Sequence, residues 1–253
     1  MKDNWLDFTG KTYLVTGAAS GMGRAVCKLI SARGGKVILV DIDTLGMQET
    51  QRMCQTDTYA LYLDLSKPET FGDAIIKAVS EFGKLNGLIH CAGLPYISPL
   101  KTVSVSQCDK VYRVNSYAAV ELAKLFINRK IYAGEFGSIV FLSSVYGLVG
   151  SAANVGYALS KGAIQAVTKA LAIELASRKI RVNCIAPGFV KSPMMDNVST
   201  SFSSEYISKL ENLHPLGLGD PEDIAKAVLF LLSEMSCWMT GAIMSVDGGF
   251  TAQ

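Results

Sequence analysis

Seven short apolar runs punctuate the 253-residue chain: TYLVTG at 12–17, KVILVD at 36–41, YALYLDL at 59–65, GLIHCAG at 87–93, SIVFLSS at 138–144, RVNCIAPG at 181–188 and AIMSVDGG at 242–249. Within the runs apolar residues follow one another instead of alternating with polar ones, the pattern of strands buried on both faces of a parallel sheet. Stretches of helical period lie between them. Strand and helix in repeated alternation imply βαβ units with right-handed crossovers, so the predicted fold is α/β: a doubly wound, seven-stranded parallel sheet with helices on both faces. No repeat or glycine- and serine-rich linker interrupts the rhythm, which predicts a single domain over 1–253. The stretch at about 189–220, FVKSPMMDNVSTSFSSEYISKLENLHPLGLGD, breaks it and reads as a flexible loop over a ligand, or as an ordered surface excursion.

Composition narrows the partner. A hydrophobic share of 49% supplies a large core, and a net charge of +2 offers no basic field for nucleic acid, so a small molecule is the expected partner. Six scattered cysteines without a CxxC pair fit a reducing, cytoplasmic setting. His90 and His214 are too far apart in sequence to suggest a metal site, and none is predicted. The amino terminus has no signal-peptide pattern, and the longest apolar candidate, AVLFLL at 227–232, is far too short to span a membrane.

TGAASGMG at 16–23 stands where the first strand gives way to the first helix. Glycines at 17, 21 and 23 would let the backbone approach a pyrophosphate, whose charge the helix N-terminus stabilises; a plain glycine-rich turn is the alternative. The second strand ends in Asp41, where a Rossmann-like unit receives the adenine ribose. A carboxylate there accepts bonds from the ribose hydroxyls and repels a 2′-phosphate, which predicts NAD over NADP. As a rival reading, Asp41 is a turn or helix-capping residue.

YALSK at 157–161 places Tyr157 and Lys161 one turn apart on one helix face, an arrangement open to packing or to proton transfer. With Ser144 thirteen residues before Tyr157, the chain resembles the short-chain dehydrogenase/reductase family over essentially its whole length. TGAASGMG is similar to that family's TGxxxGxG motif and YALSK to its YxxxK motif, and Asn115, Asp64, CAG at 91–93 and PGFV at 187–190 fall in the family's order.

The resemblance implies an oxidoreductase with a catalytic set of Asn115, Ser144, Tyr157 and Lys161. Tyr157 would be general acid/base, its pKa lowered by Lys161, which would also hold the nicotinamide ribose. Ser144 would donate to the substrate oxygen, and Asn115 would hold a water linking Lys161 to solvent. The implied cofactor contacts are Gly17, Ser20, Gly21, Met22, Gly23, Asp41, Ile42, Asp64, Leu65, Cys91, Ala92, Gly93, Tyr157, Lys161, Pro187, Gly188, Val190 and Ser192. Two departures stand out: HCAG replaces the family's usual NNAG, putting the hydrogen bonds around Cys91 in doubt, and PGFVKS replaces PGxxxT, leaving the Ser192 hydroxyl for the carboxamide. His90, in a strand, reads as a core histidine.

The expected substrate pocket comprises Tyr96, Ser144, Tyr146, Leu148, Val149, Tyr157, Phe189, Met194 and Met195, an apolar and adaptable wall. It suits a medium-sized, partly hydrophobic secondary alcohol or ketone such as a hydroxysteroid, cyclic or sugar alcohol, with oxidation as the working direction. A 3-oxoacyl-thioester reductase is the alternative, and a non-catalytic dinucleotide sensor a remote one. Helical patterns at 104–132 and 155–179 are apolar on more than one face, and the resemblance implies a homotetramer.

Overall fold

The structure, a computed structural model, describes residues 6–195, 208 and 210–252. Strand geometry distributes the apolar runs between two layers, because successive side chains point to opposite faces. In β1 (Thr12–Thr16) and β2 (Lys36–Asp41), Leu14, Ile38 and Val40 enter one core, and Val15, Val37 and Leu39 enter the other. β4 (Gly87–His90) and β5 (Ser138–Leu142) repeat the division, with Leu88, Ile139 and Phe141 on the first side and Ile89, Val140 and Leu142 on the second. With β3 (Thr58–Tyr62), β6 (Arg181–Pro187) and β7 (Ile243–Val246) they form one sheet of seven strands in the order β3-β2-β1-β4-β5-β6-β7, parallel at every pairing.

Helices cover both faces, as expected. α3 (Phe71–Phe82), α5 (Ala118–Phe126) and α6 (Val155–Leu175) bring Phe71, Ile75, Leu122, Phe126, Ile164 and Leu175 to the first core. α1 (Gly21–Ala32), α2 (Thr44–Met53) and α7 (Pro221–Leu232) bring Val26, Ile30, Met47, Ile224 and Val228 to the second. Each such fully buried side chain stabilises the fold by about 1.5–3 kcal/mol. Order reverses at β1, whose neighbours are β2 and β4, and a crevice opens there at the carboxyl ends of the strands.

Three boundaries differ from the sequence pattern. β3 stops pairing at Tyr62, opposite Asp41, so Asp64 and Leu65 leave the sheet and flank the crevice. The predicted helix at 104–132 is α4 (Val105–Tyr112), one π-helical turn (Arg113–Tyr117) and α5, while α6 ends in a 3₁₀ turn at Ala176–Arg178. The two ends of the 189–220 stretch are tied together: Lys191 N donates to Gly219 O at 2.9 Å and Gly219 N to Phe189 O at 3.0 Å. Of the expected loop at about 189–220, residues 196–207 and 209 lie outside the described residues. Among the described residues no helix is long and apolar enough to cross a membrane.

Candidate active site

Backbone geometry builds the nucleotide end. Gly17 takes φ +67° and Gly21 φ +50°, values that L side chains rarely adopt. A Cβ at Gly17 would also lie 2.8 Å from Ala92 N, so the turn after β1 touches the turn after β4. Ser20 is the N-cap of α1 yet makes no capping side-chain bond, leaving the first-turn N–H groups facing the crevice as an anion-binding end. Asp41 closes the turn from the other side: its carboxylate accepts from Ala19 N at 3.0 Å, Ile42 N at 2.8 Å and Asp43 N at 3.1 Å. It therefore combines the turn role with a place in the crevice. Helix capping falls to Asp43, which accepts from Gly46 N at 2.9 Å.

The resulting cleft, about 500 Å³, is lined by Gly17, Ser20, Gly21, Met22, Gly23, Asp41, Ile42, Asp64, Leu65, Cys91, Ala92, Gly93 and Ser192, all expected there. Pro187, Gly188 and Val190 line the adjoining cavity, and Met22 and Ser192 face both. Lys110 and Val114 also line the cleft and were not anticipated; they precede Asn115 on the same helical pattern, the signal that could have found them. An uncapped helix end, glycines without room for a Cβ and an acidic strand end fit a nicotinamide dinucleotide.

Beyond the cleft, α6 brings Tyr157 and Lys161 to the end of β5. The Lys161 ammonium lies 5.7 Å from the centroid of the Tyr157 ring and donates to Leu142 O at 2.9 Å. Ser144, the residue after Ser143 at the carboxyl end of β5, accepts from Tyr146 N at 3.2 Å through its Oγ, which leaves its O–H to donate. Burial governs both groups in the chain alone. Burial pushes the Tyr157 hydroxyl up to about 12, with the Ser144 hydroxyl pulling the other way, and burial brings Lys161 down to about 8, opposed by the thiols of Cys184 and Cys91. Desolvation is the largest cause at both groups.

Asn115 sits in the π turn, fully buried. Its Oδ1 accepts from Leu94 N at 2.7 Å, and its Nδ2 donates to Leu94 O at 3.1 Å and to Ser160 Oγ at 3.0 Å. The side chain expected to hold a water thus has both N–H groups committed to protein, because it joins the β4 turn to α6. A Cβ at Gly93 would meet Lys161 Nζ at 3.2 Å and Asn115 Oδ1 at 3.4 Å, so that glycine lets the two polar groups converge.

The adjoining cavity is lined by Tyr96, Ser144, Tyr146, Tyr157, Phe189, Met194 and Met195, as expected, together with Met22, Pro95, Ile97, Ser143, Val145, Asn154 and Leu210. Among the described residues that line it, none is charged. Leu148 and Val149 are not brought to it: the 3₁₀ turn at Val145–Gly147 carries them to the surface, where they are 46% and 38% exposed.

His90 is a fully buried core residue, bonded to Thr16 Oγ1 at 2.9 Å and held neutral by burial, which lowers its pKa to about 3. Thr16 Oγ1 in turn accepts from Ala92 N at 3.2 Å, so this pair supplies the strand-end hydrogen bonding left in doubt beside Cys91. Burial holds the Cys91 thiol at about 12, far from reactivity. All six cysteines are free, and among the described residues no His, Cys, Asp and Glu cluster could hold a metal ion.

A family model described as enoyl-(acyl carrier protein) reductase matches residues 17–251. The 3-oxoacyl-[acyl-carrier-protein] reductase of Thermotoga maritima is 33% identical over 246 residues, 95% of this chain and 97% of the relative. The 2,5-dichloro-2,5-cyclohexadiene-1,4-diol dehydrogenase of Sphingobium indicum is also 33% identical, covering 96% of both. Among solved structures, a protein assigned as a 2-deoxy-D-gluconate 3-dehydrogenase of Agrobacterium tumefaciens, with bound NADP, superposes with a TM-score of 0.90 at 27% identity, over 99% of this chain and 100% of that one.

Proposed function

Because the chain belongs to the short-chain dehydrogenase/reductase family, we propose that it is an NAD(H)-dependent oxidoreductase of medium-sized, partly hydrophobic secondary alcohols and ketones. The observation that carries this reading is a cavity whose described lining is uncharged and which reaches Ser144 and Tyr157 beside the glycine cleft. Such a wall favours a neutral ring or chain over a carboxylate or phosphate, either of which would be desolvated there without a partner. The Sphingobium relative acts on a cyclic diol, which accords with a ring-bearing alcohol.

In oxidation, the Ser144 O–H donates to the substrate oxygen and holds it against Tyr157. Tyr157, as phenolate, takes the hydroxyl proton; a bound nicotinamide would supply the acceptor for the hydride of the carbinol C–H bond. Lys161 keeps one positive charge next to the ring, which favours the phenolate at the moment it is needed. Gly17, Ser20 and Gly21 would hold the pyrophosphate, Asp41 the adenine ribose and Ser192 the carboxamide. Asp41 supports NAD because a 2′-phosphate would face its carboxylate; the NADP in the Agrobacterium structure makes a direct comparison of the two dissociation constants the test.

Tyr157→Phe should lower turnover of NAD⁺ with a responsive alcohol by roughly 10²–10⁴-fold, the usual worth of a positioned acid/base, while NAD binding stays unchanged. A panel of hydroxysteroids, cyclic alcohols, polyols and 3-hydroxyacyl thioesters supplies the substrates. Retained turnover in the variant would sink the assignment. Selective turnover of the thioesters would favour the second reading, a 3-oxoacyl-thioester reductase, which the Thermotoga relative supports. Family membership also supports a homotetramer.

A further inference from the structure

His214 returns the excursion after β6 to the body of the protein and is only 3% exposed. Its Nδ1 lies 2.6 Å from Leu210 O, and its Nε2 is 3.1 Å from Phe189 N. A carbonyl can only accept and a backbone N–H can only donate, so Nδ1 carries the proton and Nε2 carries none. One neutral imidazole tautomer therefore joins the outgoing residue Phe189 to the returning residue Leu210. Its ring also stacks on Phe250 at 4.9 Å and 30°, and meets Phe189 edge-on at 5.5 Å and 86°.

Phe250 belongs to the carboxyl-terminal turn, which Asp247 fixes by accepting from Gly249 N at 3.1 Å, Thr251 N at 2.9 Å and Thr251 Oγ1 at 2.5 Å. Tyr146 packs on Phe189 at 5.7 Å and on Phe250 at 6.3 Å. Phe189, Tyr146 and Leu210 all line the cavity, whereas His214 and Phe250 stand behind them. Space behind the wall is already filled: a Cβ at Gly188 would lie 2.8 Å from Asp247 Cα and 3.0 Å from His214 Nε2. The wall cannot retreat in that direction without breaking the imidazole's bonds.

We infer that His214 is a positioning residue for substrate selection: by latching Phe189 to Leu210 and to the carboxyl-terminal Phe250, it fixes the aromatic wall against which a ring-bearing apolar substrate packs. This rests on reading the cavity as the substrate site. Tyr157 and the glycine turn make no hydrogen bond to His214, so its loss acts first on the Phe189 wall and reaches the nicotinamide end only through Gly188 and Val190 on either side of it.

Leucine at 214 can neither accept from Phe189 nor donate to Leu210, whereas glutamine has one acceptor and one donor on a single amide. In the full-length protein, His214→Leu should raise KM for the responsive alcohol about tenfold, the scale of leaving buried polar groups unpaired, with kcat and the NAD dissociation constant within about twofold. His214→Gln should recover most of the KM. Hydrogen exchange read at the Phe189 amide should accelerate about tenfold or more in His214→Leu and stay near wild type in His214→Gln. Nitrogen-15 spectra of the wild type should show His214 protonated at Nδ1 alone, a measurement that stands even where His214→Leu fails to fold. An unchanged KM in His214→Leu, a Phe189 amide that exchanges alike in all three proteins, or the opposite tautomer would each overturn the inference. If the wild type turns over no alcohol or ketone, the oxidoreductase reading fails, and the exchange and tautomer measurements still decide the latch.

Discussion

At the scale of single residues, burial dominates the titrating groups near the strand ends, and His90 gives the cleanest consequence. Among the described residues its Nε2 makes no hydrogen bond of ordinary geometry, and burial, with the Lys161 charge adding to it and the Asn115 and Val114 backbone opposing it, lowers its pKa from 6.5 to about 3. The folded chain therefore excludes a proton that the unfolded chain binds between about pH 6.5 and 3. Stability contributed by the neutral ring is complete above pH 6.5 and is lost as pH falls through that window, by up to about 1.4 kcal/mol per pH unit. His90→Asn keeps an acceptor and donor toward Thr16 but does not titrate. Urea unfolding between pH 4 and 7.5 should then show a shallower acid decline in the variant by about that slope; parallel curves would refute the account. Sequence alone made His90 a core residue because its run is continuously apolar. It could not reveal the missing hydrogen bond, which depends on where Thr16 and the π turn sit around it. Leu148 and Val149 failed for a related reason: the apolar pattern shows that they are sticky, not that a 3₁₀ turn carries them past the cavity.

At the scale of elements, α6 carries a stripe longer than the motif that announced it. Tyr157, Lys161 and Gln165 succeed one another at intervals of four, and Gln165 is buried. Its Nε2 donates to Ser143 Oγ at 3.0 Å and approaches Ser144 O at 3.4 Å, while Ser143 Oγ donates to Lys161 O at 2.7 Å. Gly147 makes room, since a Cβ there would stand 2.5 Å from Gln165 Nε2. Gln165 thus ties the end of β5, with Ser144 on it, to the turn of α6 that bears Lys161. Gln165→Leu should lower stability by about 1–3 kcal/mol, the cost of an abandoned buried acceptor, and lower kcat more than it raises KM. Equal effects of the same size on kcat and NAD affinity would make Gln165 a packing residue only. The YxxxK spacing was legible because both members fall within one helical turn. Gln165 was not, because its partners lie 22 and 21 residues away and no local pattern records them. Nor did helical periodicity show the π turn at Arg113–Tyr117, from which Asn115 bonds across to Leu94 and Ser160.

Considered as a whole molecule, the chain buries its two cores fully and still leaves apolar surface on the helices of one layer. Val155, Leu159 and Ile173 on α6 are 50%, 57% and 82% exposed, and Val105 and Tyr117, on α4 and the adjoining turn, are 77% and 57% exposed. On α6 the stripe continues through Ala166 and Gly162, and a Cβ at Gly162 would meet nothing within 4 Å. Seven-residue steps from Leu159 to Ala166 to Ile173 keep these positions on one side of the helix, opposite the side that packs Ile164, Thr168 and Leu175 inward. A face of this kind on a helix already buried along its other side suits a second copy of the same helix, the contact that the proposed homotetramer would make. It was readable in sequence as a helix apolar on more than one face. Because α6 also carries Tyr157 and Lys161, assembly and activity should fall together. Leu159→Glu places a charge on the face without touching the core. Sedimentation velocity at micromolar concentration should show wild-type protein as an oligomer and the variant shifted to smaller species, with kcat lowered as α6 loses its outer support. A wild-type protein that sediments as a monomer would refute the assembly, and a dissociated variant with unchanged kcat would separate assembly from the positioning of Tyr157.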